Sequence, residues 1–139
     1  MGYEIAGGLG AKLAQPEREV VVMVGDGSYL MMNSELATAV MLGRKLIVVL
    51  LDNRGFGCIT RLQQATGGAR FNNLLDDALH QTPNHIDFTA HARTLNTTTE
   101  KVSRLDELAA TVQHAHASEN NHCIVIDTNP LTTTNTNNT

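Results

Sequence analysis

Three stretches of the chain are almost purely apolar and rich in β-branched residues: Glu19–Val24, Leu46–Leu51 and His122–Asp127. Runs of that length suit strands covered on both faces. Between them the apolar residues fall at helical spacing. Ile5, Leu9 and Leu13 form an i, i+4, i+8 stripe over Met1–Ala14, and Met32, Leu36, Ala39, Val40 and Leu42 gather mostly on one face of Met31–Gly43. Ile59, Leu62 and Ala65 mark a short helix that ends at Gly67-Gly68, Asp87 caps a helix carrying Phe88, Ala92 and Leu95, and Leu105, Leu108, Ala109 and Val112 mark another. Thr97–Val102 carries a weaker strand pattern. Strands alternating with helices predict an α/β fold: a doubly wound, mostly parallel sheet flanked by helices.

Punctuation refines this outline. Gly7, Gly8 and Gly10 each weaken the first helix by roughly 1 kcal/mol relative to alanine, which is sensible if another segment must approach its backbone closely. Pro16 turns the chain into the first strand. Asn33 or Ser34 is placed to cap the crossover helix, Glu35 suits its first turn, and Gly43 suits its end. Residues 69–86 read as a long loop, a feature that is often functional or mobile. Asp127-Thr128-Asn129-Pro130 looks like a domain edge, so residues 1–130 are expected to form one domain. The polar tail 131–139 (LTTTNTNNT) is expected to be disordered.

Composition narrows the function classes. With 139 residues, 42% of them hydrophobic and 17% charged, the chain suits a single globular domain with a real core. A net charge of −4 and a pI near 5.8 leave no basic stripe for nucleic acid. No apolar run approaches the roughly 20 residues that span a bilayer, and no secretory signal pattern is present. Cys58 and Cys123 lack the spacing of a disulfide framework or a zinc site, so a cytoplasmic setting is expected.

Chemistry concentrates where the first two strands end, at Gly25-Asp26-Gly27-Ser28 and at Asp52-Asn53-Arg54-Gly55. Ligands of open α/β sheets bind at that carboxyl edge. A dinucleotide fingerprint would need a glycine where Leu30 stands, and a P-loop would need a lysine that neither turn contains. A third reading is a divalent cation that neutralises a diphosphate. Asp26 and Asn53, 27 residues apart, can meet across one crossover and offer hard oxygens. Magnesium takes about six oxygens, commonly a few from protein and the rest from phosphate and water. Gly27 and Ser28 can turn backbone N–H groups toward the phosphate. Asp and Asn also favour plain turns, and spacing alone does not separate the two readings.

The G-D-G-S and D-N turns together resemble the signature of thiamine-diphosphate-dependent enzymes, G-D-G followed one crossover later by N-N. The chain departs at the first asparagine, where it has Asp52; the second, which ligates the metal in that family, is kept as Asn53. The likeness extends from Met1 to about Thr128. Met1-Gly2-Tyr3 and Gly10-Ala11-Lys12-Leu13-Ala14 resemble the helix beside the cofactor in acetolactate-synthase-like members, and Ser34-Glu35-Leu36-Ala37-Thr38-Ala39 their crossover helix. Within the superfamily the chain is most similar to the hydrolases that open trihydroxycyclohexane-1,2-dione in inositol catabolism, on MGYEIAGGLGAKLA, SYLMMNSELATAVMLGRKLIVVLLDNRGFG and RLQQATGGARFNNLL. Acetolactate synthases typically have N-N-x-x-x-G-M where this chain has Asp52-Asn53-Arg54-Gly55-Phe56-Gly57-Cys58.

The resemblance implies a cofactor, thiamine diphosphate with Mg²⁺. The metal ligands would be the Asp26 and Asn53 side chains and the Gly55 carbonyl. Gly25, Gly27, Ser28, Phe56 and Gly57 would line the diphosphate, and Met1 would support the cofactor under its thiazolium ring. The implied reaction is carbon–carbon cleavage of a cyclic dione, with the cofactor as electron sink and water completing ring opening. The glutamate that activates the cofactor belongs to a separate, normally N-terminal pyrimidine-binding domain, contributed across a dimer interface. No segment of this chain resembles that domain, and Glu4 and Glu35 sit in the wrong element to replace its glutamate. The resemblance therefore assigns no catalytic residue to this chain, and it implies a homo-oligomeric assembly in which that domain is the partner. An acetolactate-synthase-like fragment and a non-catalytic cofactor-binding or dimerisation module stand as alternatives.

Other candidate residues read more plainly. His80 and His85 lie in the long loop, where solvation is the first expectation and reach of a substrate the second. His114-x-His116 is set aside as a metal pair, because residues two apart on a helix do not face each other. Cys58 is read as packing, and Asn96-Thr97-Thr98 as a chance match to a glycosylation acceptor.

Overall fold

The computed structural model describes residues 1–82 and 84–128. Pro130, expected as the domain edge, and the tail 131–139 lie outside the described residues. The elements run α1 (Glu4–Ala14), β1 (Val21–Gly25), α2 (Asp26–Met31), α3 (Ser34–Met41), β2 (Ile47–Asp52), α4 (Gly57–Ala65), α5 (Phe88–Thr94), β3 (Thr98–Val102), α6 (Leu105–Ala117) and β4 (His122–Asp127). The four strands form one parallel sheet in the order β1-β2-β4-β3. This is the parallel, helix-flanked α/β sheet that the sequence predicts, and the weak strand at Thr97–Val102 is real.

Alternation along the strands sorts the core into two layers. Val22, Val24, Val48, Leu50, Cys123 and Val125 point to one face, where Ile5 and Leu9 of α1, Leu36 and Ala39 of α3, and Phe88 and Ala92 of α5 pack on them. Ile47, Ile124 and Val102 point to the other face and meet Ala115, Leu108 and Val112 of α6. Burial pushes the Cys123 thiol up to about 12, so it behaves as a small apolar side chain. Two of the three glycines of α1 have the close neighbour their positions predict, whereas Gly10 faces open space. A Cβ on Gly8 would collide with Val22 of β1, and one on Gly7 with the Tyr3 ring.

Three expectations change. The single crossover helix over Met31–Gly43 is instead a pair: α2 starts directly at Asp26, and the chain breaks at Met32 before α3. The break lets α2 seat the fully buried Tyr29 edge-on against Phe88 of α5, ring centroids 5.7 Å apart. The Tyr29 hydroxyl hydrogen-bonds His91 Nδ1 at 3.0 Å, while α3 seats Leu36 and Ala39 in the core next to α1. Asn33 precedes α3 but makes no side-chain cap; its amide instead donates to the Leu30 carbonyl at 3.5 Å. In α6 the packed stripe is Leu108, Val112 and Ala115, whereas Leu105 and Ala109 face solvent. Leu13, Met32, Leu42 and Leu62 of the other apolar stripes are likewise exposed. Two end signals hold: the Asp87 carboxylate accepts from Ala90 N at 3.0 Å at the start of α5, and Gly43 takes a positive φ of 59° after α3.

Asn121 ties the amino ends of three strands together. Its side-chain oxygen accepts from Leu46 N at 2.7 Å, and its backbone carbonyl accepts from Thr98 N at 2.9 Å. Next to it, His122 N donates to the Leu46 carbonyl at 3.0 Å. Replacing the side chain leaves a buried N–H without its acceptor. Asn121→Ala is expected to lower stability by about 1–3 kcal/mol, read as a shift in the urea midpoint without a change in slope.

Candidate functional site

Parallel pairing sets which residues meet at the carboxyl edge. Gly25 pairs with Leu51, and Asp52 with Asp127, so the turns after β1 and β2 and the end of β4 open onto the same side. After β1 the chain enters α2 with Asp26 in its first turn and Gly25 as its extended N-cap. After β2 it makes a tight turn: the Asp52 carboxylate accepts from Arg54 N at 3.0 Å, Arg54 sits at φ 59° and Gly55 at φ 142°. A side chain on Gly55 would be strained by that φ and would strike the Asn73 carbonyl at 2.5 Å.

Asp26 joins the two turns. One oxygen of its carboxylate accepts from Asn53 N at 3.2 Å and the other from Gly55 N at 2.6 Å. Asp26 is 3% exposed. Burial pushes its pKa up, the two N–H groups pull it back down, and the negative charge of nearby Asp52 adds to the upward push. An ionised Asp26 therefore depends on those two N–H groups for its stabilisation. The contact is close because residue 27 is glycine: a Cβ there would lie 2.5 Å from the Phe56 ring and 3.0 Å from the Gly55 carbonyl oxygen. Gly57 donates to Asn53 Oδ1 at 3.3 Å and opens α4, and a Cβ on it would press on that amide at 3.1 Å.

The turns border a cavity of about 530 Å³, within the range of small-molecule sites. Asp26, Gly27, Gly55 and Phe56 line it, as do Leu30 and Met31 of α2. The long loop folds back onto this site. Phe56 N donates to the Asn73 carbonyl at 2.7 Å and Leu75 N to the Arg54 carbonyl at 2.9 Å, and Asn84 and His85 reach the cavity wall. His80 instead bonds the Leu75 carbonyl at 2.9 Å and borders a smaller adjoining pocket. Cys58 is exposed.

Of the candidate residues, Asp26, Asn53, Gly55, Gly57, Gly27 and Phe56 are thus brought into one hydrogen-bonded and packed group. Ser28 is buried in α2 and Gly25 caps it; these two, and likewise Asn53 and Gly57, do not form part of the cavity wall. Met1 is 54% exposed and also outside that wall; its neighbour Gly2 packs against Met31, which is part of it. Sequence reasoning missed Lys101 and Asp127, paired at 2.8 Å on the same wall. The Asp127 carboxylate holds the Lys101 ammonium above its usual pKa. The signal was available: both lie at the carboxyl ends of strands, where the ligand edge was already placed.

Comparison with known proteins agrees with this geometry. The family described as "Thiamine pyrophosphate enzyme, C-terminal TPP binding domain" matches residues 1–128. The chain is 42% identical over 134 residues to the 3D-(3,5/4)-trihydroxycyclohexane-1,2-dione hydrolase of Shouchella clausii (strain KSM-K16), covering 96% of this chain and 21% of that protein. It is 43% identical over 141 residues to the protein of that name from Bacillus thuringiensis (strain Al Hakam), covering 97% and 22%. The chain therefore spans about a fifth of the length of these relatives. Among solved structures, the thiamine diphosphate-dependent 4-hydroxybenzoylformate decarboxylase of Rhodococcus jostii RHA1 superposes with a TM-score of 0.79 at 22% identity, covering 93% of this chain and 23% of that one. Benzoylformate decarboxylase from Polynucleobacter necessarius gives 0.73 at 22% identity, covering 91% and 23%. At that identity these two speak to the fold, whereas the family match spans nearly the whole chain. The protein belongs to the thiamine pyrophosphate enzymes, as their C-terminal TPP-binding domain.

Proposed function

We propose that this chain holds Mg²⁺ and the diphosphate of thiamine diphosphate, as the C-terminal part of a hydrolase that opens the ring of trihydroxycyclohexane-1,2-dione by carbon–carbon cleavage. The observation that carries the reading is the buried Asp26 carboxylate clasping the Asn53–Gly55 turn, with burial and Asp52 both opposing its charge. A divalent cation there offsets both effects. The donor set is hard oxygen throughout: the Asp26 carboxylate, the Asn53 amide oxygen and the Gly55 carbonyl, which suits Mg²⁺ and leaves positions for phosphate and water.

The chain's own residues bind and orient. Gly27 and Phe56 form a tight wall beside the metal position, Gly25 and Gly57 shape the backbone on either side, and the N–H groups of Gly27 and Ser28 are the ones offered to the diphosphate. Leu30, Met31, Ile86 and Phe88 give the cavity an apolar flank that excludes water from the rest of the cofactor. Met1 is assigned to support of the cofactor by the family resemblance alone. Thiamine diphosphate, when bound, supplies a carbon nucleophile for a substrate carbonyl and a sink for the electron pair of the cleaved bond. The glutamate that activates it comes from a pyrimidine-binding domain, across a subunit interface of a cytoplasmic homo-oligomer. A ring-dione substrate is favoured by the names of the relatives above.

Isothermal titration should show thiamine diphosphate binding that requires Mg²⁺ and disappears with EDTA. In Asp26→Ala the affinity should fall by more than the roughly 10–100-fold typical of an outer-shell partner. Metal-independent binding, or an unchanged affinity in that variant, would refute the ligand assignment. Gly27→Ala should keep the circular dichroism of the parent yet weaken cofactor binding, since its new methyl displaces the Phe56 ring. The purified chain with cofactor and Mg²⁺ should give no ring opening of the dione until a pyrimidine-binding domain is added; turnover by the chain alone would overturn the division of labour.

A further inference from the structure

At the opposite edge of the sheet, Glu100, His114 and His122 converge. Glu100 lies on β3 and His122 opens β4; Thr98 pairs with His122, so Glu100 and His122 are diagonal neighbours on the face that α6 covers. His114 comes down from α6. One carboxylate oxygen, Glu100 Oε1, lies 2.8 Å from His114 Nδ1 and 2.7 Å from His122 Nε2. The imidazole centroids are 5.5 Å apart, and one ligand atom from each residue falls within 4.8 Å of the others.

The geometry points to a second metal site here, for a borderline divalent cation such as Zn²⁺, with His114 Nδ1, His122 Nε2 and a Glu100 oxygen as ligands. Zinc takes imidazole nitrogen and carboxylate oxygen at about 2.0–2.2 Å in tetrahedral geometry, so its ligand atoms sit roughly 3.3 Å apart. Opening the present contacts by about half an ångström admits the ion. Two imidazoles and one carboxylate favour zinc over magnesium, which prefers oxygen and keeps its waters.

The site is built as well as close. His122 is fully buried, and its Nδ1 has no hydrogen-bond partner among the described residues, whichever ring nitrogen carries the proton. Moving that proton from Nε2 to Nδ1, as metal ligation requires, therefore breaks no other bond. Glu100 is half-buried and His114 exposed, so the ion can enter from solvent, and a water can fill the fourth position. His116, two residues on, turns away and pairs with Glu19. His114 and His116 thus have different partners, and that of His114 comes from the sheet. Bound zinc would clip α6 to β3 and β4, far from the Asp26 turn, and the inference stands apart from the cofactor proposal.

The test is Zn²⁺ binding to the purified chain in competition with a chromophoric chelator, in excess Mg²⁺, with Co²⁺ as a spectroscopic probe of tetrahedral nitrogen–oxygen ligation. One Zn²⁺ should bind per chain, raising the melting temperature. His114→Ala and Glu100→Gln, both at accessible positions, should keep native circular dichroism and weaken binding by roughly tenfold or more. His116→Ala should leave it unchanged. Absence of Zn²⁺ binding in excess Mg²⁺, or equal binding by His114→Ala and the parent, would overturn the assignment.

Discussion

The carboxyl edge of the sheet depends on one buried carboxylate. Asp26 accepts two backbone N–H groups from a turn 27 and 29 residues further on. Those bonds pair groups the tight turn cannot satisfy internally, and they tie the end of β1 to the end of β2 beyond their last ladder contact. Burial and the neighbouring Asp52 both work against the charge of the same carboxylate. A side chain that serves as structural acceptor in one state can serve as cation ligand in another, because both roles need oxygen lone pairs facing the same small space.

Glycine makes that space possible. Gly27 admits the Phe56 ring and the Gly55 carbonyl, Gly55 adopts a φ closed to other residues and passes within reach of Asn73, and Gly57 lies against the Asn53 amide. Each position removes a methyl group that would otherwise hold the turns apart. The long loop then closes over the result, through the Phe56–Asn73 and Leu75–Arg54 backbone bonds and the Gly55–Leu74 bridge. Tyr29 fixes the other side by locking α2 against α5. The edge is held from three directions while its middle stays open as a cavity.

The two ends of the sheet differ in chemistry for a topological reason. In a parallel sheet all carboxyl ends share one edge and all amino ends the other. Acidic oxygens and glycine turns gather at the first. At the second, Asn121 ties strand entries together, and on the face under α6 the histidine–glutamate group fills the place where the apolar stripe of that helix stops.

Local sequence determined the elements and their type, because uninterrupted β-branched runs and helical spacing report how a segment will be buried before its partners are known. It marked the two glycine-acid turns as well, since G-D-G-S and D-N are each short local motifs, and the family match spans those same residues. Tertiary structure decided what depends on distant segments. The split of the crossover helix follows from the seat Tyr29 finds against Phe88 and His91. The exposure of Leu105 follows from which stripe of α6 meets β3 and β4. Lys101 with Asp127, and Glu100 with His114 and His122, are pairs and triads assembled from separate elements. No periodicity along the chain encodes them; strand register and helix docking bring them together.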